Sequence, residues 1–185
     1  MIAIYAGRAN TEARECRKQL LYDGIPCALI GPEYGHADLA MRLPFLTVTE
    51  DARDIAESFI CSISADKILR FPPDIPAPIA FRQAYLRRFG TDMDTAHIRD
   101  VRFIAGEVLY RGNPVHLTPV EMRILRLLLF CRGEYFHSDE IAALCTEQEC
   151  AKTAAVHVCA INEKTRRISC QKIIETRRYK GYRIQ

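Results

Sequence analysis

The stretch IIETRRYKGYRIQ places Arg177, Arg178, Lys180 and Arg183 within one short segment. Permanent cations held that close together repel one another, and a folded core offers them nothing in return. A polyanion outside the protein does. The enrichment extends upstream, since residues 152–185 carry nine Lys/Arg against only Glu163 and Glu175, a local net of +7. Residues 1–96 have a net charge of −2 and residues 97–185 a net of +5, so the chain pairs a neutral to slightly acidic half with a polyanion-binding half.

Other chemistry is poorly supported. The eight cysteines, at positions 16, 27, 61, 131, 145, 150, 159 and 170, form no C-x-x-C pair, and the nearest two, Cys145 and Cys150, lack a second half for a tetrahedral metal site. They read as reduced and mostly buried small hydrophobes. No G-x-S-x-G, P-loop or G-x-G-x-x-G occurs in the sequence, and no His/Asp/Ser constellation can be assembled. The expectation is a protein that is not an enzyme, with no catalytic residues, no metal and no cofactor. No apolar stretch approaches the roughly 20 residues of a spanning helix, and the first residues lack a basic segment followed by an apolar one. A cytoplasmic protein without a membrane partner is expected.

The elements that must position the bases are legible as two grammars. Residues 1–90 alternate strand-like runs (IAIYAG, CALIG, FLTVTE, DKILRF) with helix-like ones. Ala13, Cys16, Leu20 and Leu21 make one helical face that Gly24 terminates. Ala52, Ile55, Ala56, Phe59, Ile60 and Ile63 make another, and residues 79–90 a closing helix. Such alternation predicts an α/β domain with a mostly parallel sheet. Residues 91–97 are polar and aperiodic and read as a linker.

From residue 98 to 185 the pattern is α+β. DVRFIAGEVLYRGNPVHL reads as a small antiparallel sheet. Thr118, Pro119 and Glu121 form an N-terminal helix signature with a capping box, and Met122, Leu125, Leu128 and Leu129 are its core stripe. Ser138 reads as the cap of a second, short helix. A third helix spans AKTAAVHVCAINEKTRRI, with Val156, Cys159 or Ala160, and Ile161 expected inward. A hairpin with its tip at Arg178 to Gly181 follows.

LTPVEMRILRLLL, SDEIAAL, TAAVHVCAINEK and IIETRRYKGYRI, in this order and spacing over about residues 99–185, resemble the successive signatures of the OmpR/PhoB family of response-regulator effector domains. The resemblance implies a winged helix-turn-helix whose third helix lies in the DNA major groove and whose hairpin reaches a neighbouring minor groove or phosphates. It implies double-stranded DNA as partner, with RNA polymerase as a further candidate. The implied contacts are Lys152 and Thr153, where that helix first meets DNA, then His157, Asn162, Lys164, Arg166 and Arg167, and on the wing Thr176, Arg177, Arg178 and Lys180. Ala160, Asn162 and Glu163 depart from the family's basic pattern late in the helix; Asn162 is expected to pair with adenine instead. The plainer reading of a basic hairpin is a solvated surface, and that of His157 an ordinary helix residue.

The first half resembles a shortened receiver, a flavodoxin-like domain, over residues 45–89. Thr49 stands at a switch position and Ser64-Ala65-Asp66 where Gly-Ala-Asp is usual. Receivers are phosphorylated on aspartate with an acidic pair, Mg²⁺ and a lysine; here Ala6, Gly7 and Arg8 replace the pair and Phe71 the lysine. Asp38 and Asp51 lack metal-binding company, and at about 90 residues the domain reads as one βα unit short, the third. No phosphoacceptor is expected. The resemblance implies a homodimer through residues 51–63, 66–70 and 77–89, where Asp51, Asp54 and Glu57 face Lys67, Arg70, Arg82, Arg87 and Arg88 as charge partners. The resulting expectation is a phosphorylation-independent transcription regulator; its rival is an interaction module whose winged helix no longer reads DNA.

Overall fold

The computed structural model describes residues 2–5, 11–22, 24–30, 46–48, 68–70, 97–98, 100–104, 107–146 and 151–184. The chain divides into two compact units, Met1–Phe89 and Gly90–Gln185. The helices expected at residues 51–63 and 77–89, with their charged residues, lie outside the described residues, as do Ala6 to Arg8, Asp38, Thr49, Ser64 to Asp66 and Phe71.

In the first unit β1 (Ile2–Tyr5), β2 (Cys27–Ile30), β3 (Leu46–Val48) and β4 (Ile68–Arg70) form a parallel sheet in the order β2-β1-β3-β4. Helix α1 (Thr11–Tyr22) buries Ala13, Arg17, Leu20 and Leu21 and packs on β1 and β2. Its end is set by Gly24. At φ 75° this residue enters the left-handed region, the Gly24 N–H donates to Leu21 O and the Ile25 N–H to Leu20 O, so two terminal carbonyls are satisfied. Every residue of β2 is buried although β2 is an edge strand of the described sheet, and α1 is one of the elements that cover it.

The second unit begins with an antiparallel sheet of β5 (His97–Ile98), β6 (Val101–Ile104), β7 (Glu107–Tyr110) and β8 (Asn113–Val115). β5 begins at His97, the last residue read as linker. Alternation decides which face is buried: Val101, Phe103, Val108 and Tyr110 point in and Arg102, Ile104 and Glu107 out. Three helices follow, α2 (Pro119–Phe130), α3 (Ser138–Cys145) and α4 (Ala151–Ser169), each packed on the other two, and then a hairpin of β9 (Glu175–Arg177) and β10 (Gly181–Arg183).

The capping box of α2 is present. The Thr118 hydroxyl accepts from Glu121 N, and the Glu121 carboxylate accepts from Thr118 N at 2.8 Å. Burial on α2 extends well beyond the expected stripe, to Ile124 and Leu127 and to Arg123 and Arg126, while Met122 is only half-buried. The two buried guanidiniums have chemical reasons to be there: Arg123 Nε donates to Cys145 O at 2.7 Å, satisfying a carbonyl at the end of α3, and Arg126 stacks 5.0 Å over the Phe103 ring. The cap of α3 is one residue earlier than its sequence suggested. His137 holds the N-cap position, Ser138 is the first helical residue, and Glu140 accepts from the His137 N–H at 2.6 Å.

Candidate nucleic-acid interface

Helix α4 places its side chains by phase alone, and the phase differs from the one expected. Its inward face is Ala154, Val158, Ile161, Asn162 and Thr165, all buried. Val156 is 67% exposed and Cys159 is exposed, so neither packs inward, and Ala160 is half-buried. The reason is that polar residues fill the buried stripe. Asn162 receives the Ile174 N–H on its carbonyl and donates its NH₂ to Ile174 O, each at 2.9 Å, and the Thr165 hydroxyl donates to Ile161 O at 2.9 Å. Once satisfied in this way a polar side chain is as admissible in the interior as an apolar one.

Asn162 therefore does not stand with the candidate base contacts. Only 7% of it is exposed and both ends of its amide are spent on the segment that leads from α4 into the hairpin. Lys164 is also turned inward in function: its Nζ lies 2.6 Å from Glu121 Oε2, a carboxylate 4% exposed that also caps α2. Of the remaining expected residues, Lys152, Arg166 and Arg167 are exposed, and Thr153 and His157 are half-buried at the edge of the outward face. Arg167 reaches Glu163 at 3.3 Å across one turn, an exposed pair of little energetic weight.

The hairpin is held to the body of the unit by backbone. Phe136 and Tyr182 exchange two N–H···O bonds of 2.9 Å, and the Gly133 N–H donates to Ile184 O at 3.0 Å. Gly181 makes this docking feasible. Its φ is 97°, and a Cβ there would fall 2.1 Å from Phe136 O. At the tip, Tyr179 adopts φ 65° and is 83% exposed, with the Arg178 guanidinium 5.0 Å over its ring.

One acid organises the hairpin's bases. Glu175 accepts from Arg177 Nε at 2.6 Å, from Arg183 Nε at 2.8 Å and from the Tyr135 hydroxyl at 3.2 Å. The Tyr135 ring lies 4.5 Å from the Arg183 guanidinium, 5.7 Å from that of Arg177 and 6.0 Å from Lys180 Nζ, a cation–π arrangement. The hydrogen bond from Arg177 to Glu175, and then the carboxylate's charge, raise the Arg177 guanidinium above its already high range, so it stays cationic. Thr176, Arg177, Arg178 and Lys180 are all exposed.

Helix and hairpin meet at a surface groove of about 500 Å³, lined by Cys159, Glu163, Arg166, Arg167, Lys172 and Thr176 among others. Its bases are Arg166 and Arg167 of α4 and Lys172 of the connecting segment, and the hairpin contributes Thr176. Cys159 and Glu163 were missed as members of this groove and Val156 as an outward residue; the two polar residues Asn162 and Thr165, three apart, were the available sign that the buried stripe runs elsewhere. Cys27, Cys131 and Cys145 are buried and Cys159 and Cys170 exposed. Among the described residues no group of three His, Cys, Asp or Glu is placed to hold a metal ion, and no helix is long and apolar enough to cross a membrane.

Residues 112–184 match the family model described as transcriptional regulatory protein, C terminal. No curated protein matches the chain. Among solved structures, the DNA-binding domain of the response regulator AdeR, in complex with an intercistronic region, is 18% identical, with 47% of this chain and 94% of that one covered and a TM-score of 0.44. The C-terminal DNA-binding domain of RstA from Klebsiella pneumoniae is 19% identical over 51% of this chain and 91% of that one, with a TM-score of 0.41. The response regulator DrrB of Thermotoga maritima, an OmpR/PhoB homolog, is 14% identical over 100% of this chain and 98% of that one, with a TM-score of 0.42.

Proposed function

With residues 112–184 belonging to the transcriptional regulatory protein C-terminal family, the DNA-binding effector type of OmpR and PhoB, we propose that this chain is a sequence-specific transcription regulator that acts without aspartyl phosphorylation. The observation that carries the reading is that α4 and the hairpin each expose clustered bases, Arg166 and Arg167 on the helix and Arg177, Arg178 and Lys180 on the hairpin. Helix α4 enters the major groove with Lys152, Thr153 and His157 near its start and Arg166 and Arg167 near its end. The hairpin presses Thr176, Arg177, Arg178 and Lys180 against the neighbouring minor groove or phosphates. Counterion release from phosphate contacts supplies much of the affinity. Asn162 and Lys164 support the scaffold.

The first half is read as a receiver-like domain of residues 1–90, joined through a linker at 91–97 to the effector domain of residues 98–185. The parallel order β2-β1-β3-β4 supports this, because it is the order that a flavodoxin-like sheet keeps when its third strand is taken out. β1 ends at Tyr5 and runs into Ala6-Gly7-Arg8, and β4 ends at Arg70 and runs into Phe71. Without the acidic pair and the lysine, no Mg²⁺ or phosphoryl group has partners there. The domain serves instead to pair two copies through residues 51–63, 66–70 and 77–89, with RNA polymerase as the downstream partner.

The test is fluorescence-anisotropy binding of the full chain to a duplex from upstream of its own gene, titrated against salt and non-specific competitor. Specific binding that survives competitor is expected, unchanged by a small-molecule phosphodonor, with a stoichiometry of two chains per site. Binding that appears only after phosphodonor treatment overturns phosphorylation independence. A second reading has one observation in its favour: Val156, Cys159 and Glu163 leave the middle of the outward face of α4 without a cation. On that reading the winged helix binds a protein, and salt-sensitive duplex binding is absent.

A further inference from the structure

The segment that leads from α4 into the hairpin borders two concavities. One is the groove beside α4. The other is a surface cleft of about 490 Å³ between this segment and the antiparallel sheet. Its size is that of a small-molecule site, roughly 300–1,000 Å³. Val101 of β6, Leu129 of α2, and Ile173 and Ile184 give it an apolar floor, and Asp100, Arg111, Lys172 and Glu175 are the charged residues of its lining. One wall is preformed, because Asn162 holds both backbone groups of Ile174 from the side of α4.

Three of the four charges are already committed. Arg111 Nε donates to Asp100 at 3.1 Å, and Glu175 accepts from Arg177 and Arg183, neither of which lines the cleft. Lys172 is exposed and has no hydrogen-bond or ion-pair partner among the described residues. The cleft therefore offers one uncommitted cation beside an apolar floor. A dianion such as phosphate would lie against two carboxylates, Asp100 and Glu175, with a single free ammonium to answer it. A monoanion with an apolar body meets both features: its carboxylate takes Lys172 and its hydrocarbon covers the floor.

Lys172 and Thr176 also line the groove beside α4, so the same ammonium serves either concavity. We infer that the cleft is an effector site for an apolar organic monocarboxylate, anchored on Lys172, whose binding withdraws that cation from the groove beside α4 and so weakens the hold on DNA. The coupling to DNA rests on the DNA-binding reading above; the ligand site does not. Such a site gives the chain a chemical input that needs no phosphoryl group.

The probe is naphthoate, with naphthamide as its neutral counterpart of the same shape, each added to the full chain while backbone amide chemical shifts are followed. Naphthoate is expected to move the amides of Lys172 to Thr176, Val101 and Arg111. Naphthamide is expected to bind about tenfold more weakly, the loss of one charge-assisted hydrogen bond. Lys172→Gln, a change at an exposed position, is expected to bind both probes with the weaker affinity. Equal affinity of the wild-type chain for the two probes, shifts confined to other regions, or no shift at all overturns the ligand site. In anisotropy titrations on a duplex enriched from a random-sequence pool, naphthoate at a concentration that saturates only the wild type is expected to weaken wild-type binding about tenfold and to leave the affinity of Lys172→Gln where it was. An unchanged wild-type affinity with naphthoate bound overturns the coupling. Failure to enrich any duplex overturns the DNA-binding reading and the coupling with it, and the amide shifts then decide the ligand site alone.

Discussion

The hairpin and α4 both carry exposed bases, and they hold them by different means. In the hairpin, Glu175 fixes Arg177 and Arg183 by hydrogen bonds, Tyr135 stacks beneath them, and Gly181 locks the ribbon to Phe136. On α4 no such brace exists for Lys152 or Arg166 among the described residues, and helical phase alone turns them outward. Ordered cations lose less entropy on meeting phosphate, whereas loosely held ones adapt to more than one backbone path. On the proposed DNA-binding reading the hairpin is a preformed clamp and α4 a reading head whose direction is set from behind, by Asn162.

The largest expected effect breaks the clamp. Gly181→Ala forces a Cβ into the Phe136 carbonyl at a left-handed φ, and is expected to cost about 4 kcal/mol or more of stability, or to detach the hairpin. Thermal or urea unfolding measures the first, and loss of amide protection at Tyr182 and Phe136 the second. An unaltered melting curve with intact protection would show that the docking is not tight.

Next comes the inner side of α4. Asn162→Ala strands the N–H and C=O of fully buried Ile174 and is expected to destabilise the fold by roughly 2–3 kcal/mol. At a temperature where the variant remains folded, its duplex affinity should match the wild type's. A large affinity loss with unchanged stability would return Asn162 to the interface.

Arg178→Ala removes the tip cation and is expected to weaken duplex binding by roughly 1–3 kcal/mol. The magnitude of the slope of log K against log salt should fall by about 1, because one phosphate contact is lost. Anisotropy titrations at several salt concentrations measure both, and an unchanged slope would remove the tip from the phosphate contacts.

The smallest effect separates ordering from charge. Glu175→Gln raises the net positive charge of the hairpin but loosens Arg177 and Arg183. If preorganisation matters, affinity falls by about 0.5–1.5 kcal/mol, the ordering cost of a long side chain. A rise in affinity would mean that only net charge counts.

Much of the second unit was legible because its signals are local. The capping box at Thr118 and Glu121, the alternation in β6 and β7, and the turn chemistry around Gly181 each depend on residues a few positions apart. The phase of α4 was not legible in the same way. Its apolar residues, Val156, Val158, Cys159 and Ile161, are spread around the helix, so hydrophobicity leaves more than one candidate inward stripe. Counting polar residues as outward favoured the wrong one. Likewise Lys164 read as a surface base because its partner, Glu121, lies 43 positions away.

The sequence by itself determined the order of elements, the charge asymmetry and the match of residues 112–184 to a family model, since these follow from local pattern and composition. Only the tertiary structure decided which face of α4 meets solvent. Two backbone groups of Ile174 needed partners once buried, Asn162 supplied both, and that pairing rotated Val156 and Cys159 outward.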